Sequence, residues 1–172
     1  ARAAHQMIST LPEERRIGLD ALRTEVLARY KRGESLAQMD LAGINLAGED
    51  LSGADFSGAY LEFANLSGTN LSGANLSGAI LAKANMNEVV LDGANLNGAC
   101  LGKANLYGAR GDDLKLERAV LSEAILTGST FERASLSDSQ ILNGDFSNCV
   151  FKDSRIDNVL FYECNLKEAN FE

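Results

Sequence analysis

From Leu36 to Phe171 a large apolar residue returns at every fifth position, and each such residue is termed a centre here. Of the 28 centres, 18 are Leu, six are Phe, two are Ile and one is Met, and Gly111 is the exception. Two positions before a centre the residue is small, and it is Ala in 14 cases; directly before a centre it is Asn or Asp in 13 cases. Gly occupies 11 of the 27 sites two positions after a centre. The chain therefore carries a repeat of the form A(N/D)LxG.

The five-residue period fits neither of the two regular secondary structures. Five residues of α-helix turn about 500°, so successive centres would spread over every face. In a continuous strand, an odd period would send every second centre to the opposite side of the sheet. Each repeat is therefore predicted to be a short extended piece closed by a turn in which Gly supplies a positive φ. Stacked repeats would bury the centres and the small residues, and leave the Asn or Asp outside with local backbone hydrogen bonds.

A different pattern occupies residues 1–35. Thr10 to Glu13 matches a capping box with Pro12 in the first turn, and Gly33 is typical of a helix stop. The apolar residues between these signals have the spacing of one helical face, and they are Leu19, Leu22, Val26 and Tyr30, with Leu27 beside them. We expect one amphipathic helix of about 20 residues before a repeat domain over residues 36–172.

The repeats from Leu36 to Glu172 resemble those of the pentapeptide repeat family, because 28 successive units such as ANLSG at 74–78 keep one phase. The resemblance implies an all-β solenoid, namely a right-handed quadrilateral β-helix with four pentads in each coil and about seven coils. With coils spaced about 4.8 Å apart, the rod would be roughly 33 Å long. Residues 20 positions apart would then form one column on its surface.

The two ends of the predicted solenoid differ. In the first coil the small residue is replaced by larger ones, so we expect this coil to be distorted and covered by the helix as a cap; these residues are Glu34, Met39, Ile44 and Glu49. The last coils are rich in Phe, and either an end-to-end homodimer or further chain would cover them. The resemblance favours the homodimer, since several relatives dimerise end to end. Its candidate residues are Phe151, Phe161, Leu166 and Phe171.

One column of outward residues is more apolar than the others. It runs Asp40, Tyr60, Ile80, Cys100, Val120, Gln140 and Leu160. The column predicts a docking stripe for a partner or for the helix of the same chain. A sheet surface also tolerates β-branched residues without any partner. The candidate partner-binding residues are Tyr60, Phe63, Ile80, Cys100, Val120, Leu142, Leu160 and Tyr162.

Two other sets of positions receive a structural interpretation. A second column reads Asn45, Asn65, Asn85 and Asn105, then Ile125, Asp145 and Asn165, and it is interpreted as a polar ladder that stabilises the fold. At the missing centre, Leu114 takes the next small position and is predicted to fill the space left at Gly111.

The composition excludes several classes of protein. The 172 residues are 45% hydrophobic and include 24 acidic and 16 basic residues, a formal net charge of −8. No apolar run approaches the roughly 20 residues that span a bilayer, and this acidity argues against direct binding of nucleic acid or an anionic membrane. Residues 1–35 carry a net charge of +2 and residues 36–172 a net charge of −10. Three cysteines without metal-ligand spacing favour a reducing compartment, so we expect a bacterial cytoplasmic protein.

The sequence contains no catalytic constellation. The one histidine, His5, precedes the helix, so the repeats hold no Ser/His or Cys/His pair. Cys149 and Cys164 take inward small positions and are interpreted as buried space-fillers, whereas Cys100 faces outward. We therefore expect a non-enzymatic protein without a cofactor or a metal site.

Two functional classes fit these observations. The first is a rigid scaffold or adaptor for protein partners, and the junction of helix and repeats resembles the pentapeptide-repeat tails of larger bacterial proteins associated with type VI secretion. The second is DNA mimicry against a type II topoisomerase such as gyrase, as in the fluoroquinolone-resistance branch of the family. The repeat region holds 19 acids, but its nine bases leave about half the charge density of duplex DNA. Only residues 33–82 carry acids without bases.

Overall fold

The repeats form a solenoid in the computed structural model of the chain, which describes residues 13–172 and, from residue 18 onward, their side chains. Parallel bridges join residues 20 positions apart, from Asp40 with Tyr60 to Val150 with Asn170. One circuit of the backbone therefore takes four pentads, which places the columns of the sequence analysis on the surface as expected. The right-handed sense and the total of about seven coils stay predictions.

Continuous strand is scarce in this solenoid. Among the described residues, two strands are longer than one residue: β1 (Gln140–Leu142) and β2 (Leu160–Tyr162), which pair in parallel. Elsewhere each pentad contributes one bridging residue between two turns. The backbone is thus a stack of turns tied together by isolated bridges, because five residues leave room for little more than one extended residue.

A residue with positive φ stands at every corner of the solenoid. All 27 positions two residues after a centre, from Gln38 to Glu168, have φ between +52° and +74°. At 24 of these corners the N–H of the following residue donates to the carbonyl of the centre, as Ala54 does to Leu51 at 3.1 Å. This is the geometry of a type II turn, in which glycine is favoured at the third residue. Glycine fills 11 of these corners, and 16 hold other residues.

The core is a continuous column of centres and small residues along the axis. From Leu36 to Phe151 every centre is fully or almost fully shielded from solvent, and so are the Ala residues beside them. At the missing centre, a Cβ on Gly111 would lie only 3.0 Å from atoms of Leu114 and of Phe131. Leu114 is itself buried, which confirms that it fills this space without an inserted loop.

The N-terminal helix, α1 (Glu13–Lys31), lies against the first coil. It ends in a Schellman motif at Gly33, where φ is +70°, the Glu34 N–H donates to Arg29 O at 3.0 Å and the Gly33 N–H donates to Tyr30 O at 2.9 Å. Val26 is fully buried against the core, and other residues of the predicted face pack beside it: Leu22, Leu27 and Tyr30. The apolar face of the helix is thus confirmed.

The predicted distortion of the first coil is wrong. The Leu36 N–H donates to Asp55 O at 2.8 Å and the Ile44 N–H to Leu41 O at 3.1 Å, as in later coils. The larger residues at the small positions do not displace the backbone: Met39 packs against the core, Ile44 is fully buried in it, and Glu49 pairs with Arg23 of α1. An end coil has a neighbour on one side only, so its interior has room for them.

Two features lie outside the described residues: His5, and the part of the predicted capping box from Thr10 to Pro12. Within residues 13–172, no helix combines the length and the apolar character needed to cross a bilayer.

Candidate functional site

Bridges bring the candidate partner-binding residues onto one side of the rod. Tyr60 pairs with Ile80, Ile80 with Cys100, Cys100 with Val120, and the column continues through Gln140 to Leu160. Phe63 lies in the turn that follows Tyr60, and Leu142 and Tyr162 are the last residues of β1 and β2. We call this set the apolar face; its members are Tyr60, Phe63, Ile80, Cys100, Val120, Leu142, Leu160 and Tyr162.

Exposure along the apolar face is uneven. The side chains near its two ends are the most exposed: Tyr60 is 49% exposed, Phe63 43%, Leu160 57% and Tyr162 55%. The four residues between them are half-buried: Ile80, Cys100, Val120 and Leu142. The face is therefore lower in the middle than at either end.

Large apolar side chains are also exposed elsewhere, but they are more scattered. Tyr107 and Ile125 stand on another side of the rod, and Ile156 and Leu166 belong to the last coil. Single exposed apolar residues are normal on protein surfaces. The apolar face differs because its members follow one another through successive coils.

The described helix leaves the apolar face open. Its contacts are with the first coil: Arg23 pairs with Glu49, the Tyr30 hydroxyl donates to Ser52 O at 2.9 Å, and Leu19 lies beside Gly43. Docking of the chain's own helix on the stripe, one of the two expectations, does not occur in the described residues. Among the described residues, α1 therefore does not cover the apolar face.

Charged residues that the sequence analysis did not single out border this face. Lys83 lies over the Phe63 ring, with its Nζ 4.8 Å from the ring centroid, and Lys103 Nζ lies 3.2 Å from Glu123 Oε2. All four occupy the same corner in successive coils and have positive φ. The sequence could have revealed these residues if the 20-residue register had been applied to the corner positions as well as to the bridging positions.

The expected ladder of the asparagine column joins Asn45, Asn65 and Asn85, and again Asp145 and Asn165, but no side-chain hydrogen bond joins Asn85 to Asn105. Asn65 Nδ2 donates to Asn45 Oδ1 at 2.9 Å, and Asn85 Nδ2 donates to Asn65 Oδ1 at 3.0 Å. Each of these amide oxygens also accepts a backbone N–H two residues later, as Asn65 Oδ1 does from Ser67 at 3.3 Å. Because these amides bond one another and the backbone, they stabilise the fold.

The C-terminal end corrects one candidate residue. Phe151 is fully buried and stacks on Phe171, with ring centroids 5.1 Å apart and planes 7° apart. Because Phe171 covers it, Phe151 cannot contact a partner at the C-terminal end. Phe161 is half-buried and Leu166 is 37% exposed. Ile156, which the sequence analysis left out, is 40% exposed in the same coil.

The acidic residues of the first coils are partly compensated. Glu49 pairs with Arg23 of α1, and a hydrogen bond from Arg32 lowers the pKa of Glu34. The pKa of Asp55 is also lowered, chiefly because the Ser35 hydroxyl donates to its carboxylate at 2.6 Å. The sequence showed acids without bases over residues 33–82, but Arg23 of α1 and Arg32 directly after α1 supply bases from outside that range.

The cysteines offer no reactive site of the catalytic kind. Cys149 is buried, its Sγ donates to Leu126 O at 2.9 Å, and burial raises the pKa of its thiol to about 11. It is thus a space-filler, as predicted, whereas Cys164 and Cys100 are only half-buried. Over residues 13–172, no group of three or more His, Cys, Asp and Glu side chains is placed to hold a metal ion.

A comparison with protein families identifies the repeat. The family model described as pentapeptide repeats matches residues 35–73, 69–108 and 115–153 in eight copies. No curated protein matches the chain. The matches indicate no catalytic family.

Solved structures of pentapeptide repeat proteins resemble this chain. Rfr23 from the cyanobacterium Cyanothece 51142 is 24% identical, covers 87% of this chain and 99% of its own, and has a TM-score of 0.50. HetL from the cyanobacterium Nostoc sp. strain PCC 7120 is 19% identical, covers 86% and 93%, and has a TM-score of 0.32. QnrB1, a plasmid-mediated fluoroquinolone resistance protein, is 16% identical, covers 74% and 89%, and has a TM-score of 0.44. The likeness to Rfr23 supports the fold and carries no function.

Proposed function

Because this chain belongs to the pentapeptide repeat family, we propose that it is a non-enzymatic scaffold that binds a protein partner through its apolar face. Solenoids use extended surfaces of stacked repeats for binding, and each repeat contacts its neighbours in a fixed register. In this chain the same register carries apolar side chains from Tyr60 to Tyr162 along one side. That continuity is the observation that supports the proposal.

The proposal is tested by photo-crosslinking in the cells that naturally produce the protein. A photoreactive phenylalanine analogue replaces Ile80 on the apolar face or, as matched control, Val90 on the opposite side, half a coil away. Both positions are half-buried, outward and apolar. We expect a discrete protein adduct from position 80, its loss when Val120→Glu is added, and none from position 90. Equal adducts from both positions would contradict a role for the apolar face.

DNA mimicry against gyrase is the competing hypothesis. The net charge of −10 in residues 36–172 supports it, and the first coils keep outward acids without an ion pair in the described structure, namely Asp40, Asp50 and Glu62. Arg23 of α1, which pairs with Glu49, and Arg32 directly after α1, which pairs with Glu34, weaken it. A supercoiling assay with purified gyrase distinguishes the two hypotheses. If the protein neither inhibits nor protects gyrase at micromolar concentration, DNA mimicry is excluded and the scaffold hypothesis remains.

The proposal has three further parts: a homodimer, an association with a secretion system and a cellular location. The end-to-end homodimer would use Phe161, Leu166 and Phe171, and sedimentation of the chain beside Leu166→Asp tests it: a dimer that persists in the variant contradicts it. An association with a bacterial secretion system would follow only from the identity of the crosslinked partner. A bacterial cytoplasmic location is part of the same proposal, and the crosslinked partner's own compartment tests it.

A further inference from the structure

Resting on the proposed function, we propose that the occupant of the apolar face is an amphipathic α-helix that lies along the rod and carries acidic residues on one flank. We call the middle of the face the trough, because its residues in the first turn position are small and half-buried: Ala82, Gly102 and Ser122. Larger side chains close its two ends, with Phe63 at one and Leu142 and Tyr162 at the other.

The spacing of successive coils favours a helix over a strand as the occupant. Ile80, Cys100 and Val120 repeat with the coils, about every 4.8 Å. Apolar residues of an amphipathic helix recur every three to four residues, or about every 5.3 Å along its axis. Side chains on one face of a strand recur about every 6.7 Å. Over four coil spacings, the side chains of the helix move about 2 Å out of register with the coils and those of the strand about 8 Å, so only the helix keeps its side chains between the apolar residues of successive coils.

The length of the trough suits a short helix. Phe63 and Leu142 belong to coils four steps apart, which is about 19 Å along the rod. A helix rises about 1.5 Å per residue, so about 13 residues fill the trough between these two side chains. The small residues in the first turn position allow the helix backbone to approach closely, as in other tight helix contacts.

The two long borders of the trough differ in a way that orients the occupant. One border is the corner of Phe63, Lys83, Lys103 and Glu123, four successive residues with positive φ and no glycine. The other border includes Gly78 and Gly98, where a Cβ would meet no atom within 4 Å. The second border continues with Arg118 and Asp138, whose side chains are exposed, so it is low and open only beside Ile80 and Cys100, whereas the first border carries a side chain in each of these coils and is a raised edge.

The raised edge supplies the charge that the occupant would match. The repeat region has nine bases against 19 acids, yet three of the bases stand beside the trough: Lys83 and Lys103 in consecutive coils of the raised edge, and Arg118 on the opposite border. Lys103 pairs with Glu123, but both side chains are 53% exposed, and such pairs exchange readily. Carboxylates on one flank of a docked helix would meet both lysines.

Three labelled peptides of about 16 residues test the inference by fluorescence anisotropy with the purified full chain. The first has Leu at helical spacing and Glu on one flank; the second has the same composition in strict alternation; the third replaces Glu by Lys. We expect the first peptide to bind at least tenfold more tightly than either of the others. Equal binding by the alternating peptide, or by the basic peptide, would overturn the inference, as would no binding by any.

Variants locate the binding. Ile80→Glu combined with Val120→Glu should weaken the acidic helical peptide at least tenfold, and the matched Val90→Glu with Val150→Glu on the opposite side should leave it unchanged. Far-UV circular dichroism and unfolding midpoints confirm that both variants fold. If both pairs weaken binding equally, the peptide does not occupy the trough and the inference fails.

The lysines have their own test, which also separates this inference from the proposed function. Lys83→Ala with Lys103→Ala should weaken the acidic peptide several-fold and reduce the salt dependence of its binding. Unchanged binding would show that the lysines do not contact the acidic residues of the peptide and would overturn the acidic flank of the proposed occupant. If crosslinking at position 80 succeeds but the helical peptide shows no preference, this inference fails and the scaffold stands; if crosslinking also fails, both fail.

Discussion

The corners of the solenoid impose one backbone demand on many residue types. Sixteen of the 27 corner positions hold a side chain at positive φ, where a Cβ costs roughly 1–2 kcal/mol relative to the right-handed region. The repeat tolerates this cost because the bridges and turn hydrogen bonds on both sides fix the corner. Glycine at such a position is therefore a stabilising residue and does not indicate flexibility.

Two glycines test this explanation. Gly98 has φ +67° and Gly102 has φ outside the left-handed region, and an added Cβ has room at both. We expect Gly98→Ala to lower the free energy of unfolding by about 1–2 kcal/mol, and Gly102→Ala to be neutral or stabilising by about 0.5 kcal/mol, because it restricts the unfolded chain. Urea unfolding measures both. Equal effects of the two substitutions would show that space, and not φ, controls these sites.

Two buried serines at equivalent small positions differ in their hydrogen bonds. Ser129 Oγ donates to Leu106 O at 2.7 Å and accepts the Ala109 N–H at 3.1 Å. Ser139 Oγ is buried without a partner. The four earlier residues in the column of Ser139 are all Ala: Ala59, Ala79, Ala99 and Ala119.

Replacing each serine with alanine should have opposite effects on stability. Ser129→Ala removes satisfied hydrogen bonds and should cost about 1 kcal/mol, whereas Ser139→Ala removes an unpaired buried hydroxyl and should stabilise by about 1 kcal/mol. Thermal unfolding of the two variants gives the sign directly. A destabilising Ser139→Ala would mean that the hydroxyl has a partner in solution.

The helix and the first coil stabilise each other. Alone, a helix of 19 residues with few apolar positions is marginal in water, and the open end of a solenoid exposes its core and unpaired backbone groups. Val26 joins the two elements, since it is fully buried against the core. Tyr30 adds a hydrogen bond to the backbone of Ser52. α1 is therefore held by its contacts more than by its own propensity.

Truncation of Val26 should release the helix before it unfolds the rod. Val26→Ala removes two buried methyl groups and should cost about 1–3 kcal/mol, with the loss concentrated in the amides of α1. Thr24→Ala on the exposed side of the same helix is the control and should change little. Hydrogen exchange followed by mass spectrometry measures both. Equal loss of protection in α1 and in the central coils would contradict this separation.

Much of the molecule followed from the five-residue period alone. The burial of the centres, the small inward residues and the turn at the corner all depend on local spacing, which a sequence displays directly. Leu114 could be assigned to the space at Gly111 because the two residues are only three positions apart. The register of 20 residues needed the family resemblance, since nothing in a single pentad tells how many pentads close a coil.

The features that were missed depend on contacts between distant segments. Glu49 was expected to distort the first coil, but its partner Arg23 lies 26 residues away, and the sequence gives no measure of that distance in space. Phe151 was placed at the open end although Phe171 covers it one coil later. The trough was missed because finding it requires the corner positions, such as Lys83 and Lys103, to be compared with the bridging positions of the same coils.

A rod whose coils contact only their neighbours should lose stability locally. Leu96 is fully buried in a central coil with neighbours on both sides, whereas Leu166 is 37% exposed in the last coil of the described chain. Leu96→Ala should cost about 2–5 kcal/mol, and Leu166→Ala about 1 kcal/mol because less apolar surface is removed from contact.

The distribution of the loss along the rod is the stronger test. In a one-dimensional array, Leu96→Ala should speed hydrogen exchange in the coils on both sides of the substitution, and Leu166→Ala should speed it only near the last coil. Exchange at the amides of Leu101 and Phe151, resolved by mass spectrometry of the 172-residue chain, distinguishes the two patterns. If Leu166→Ala lowers protection at Leu101 as much as at Phe151, the rod unfolds as one unit, and a partner bound on the apolar face would then stabilise every coil at once.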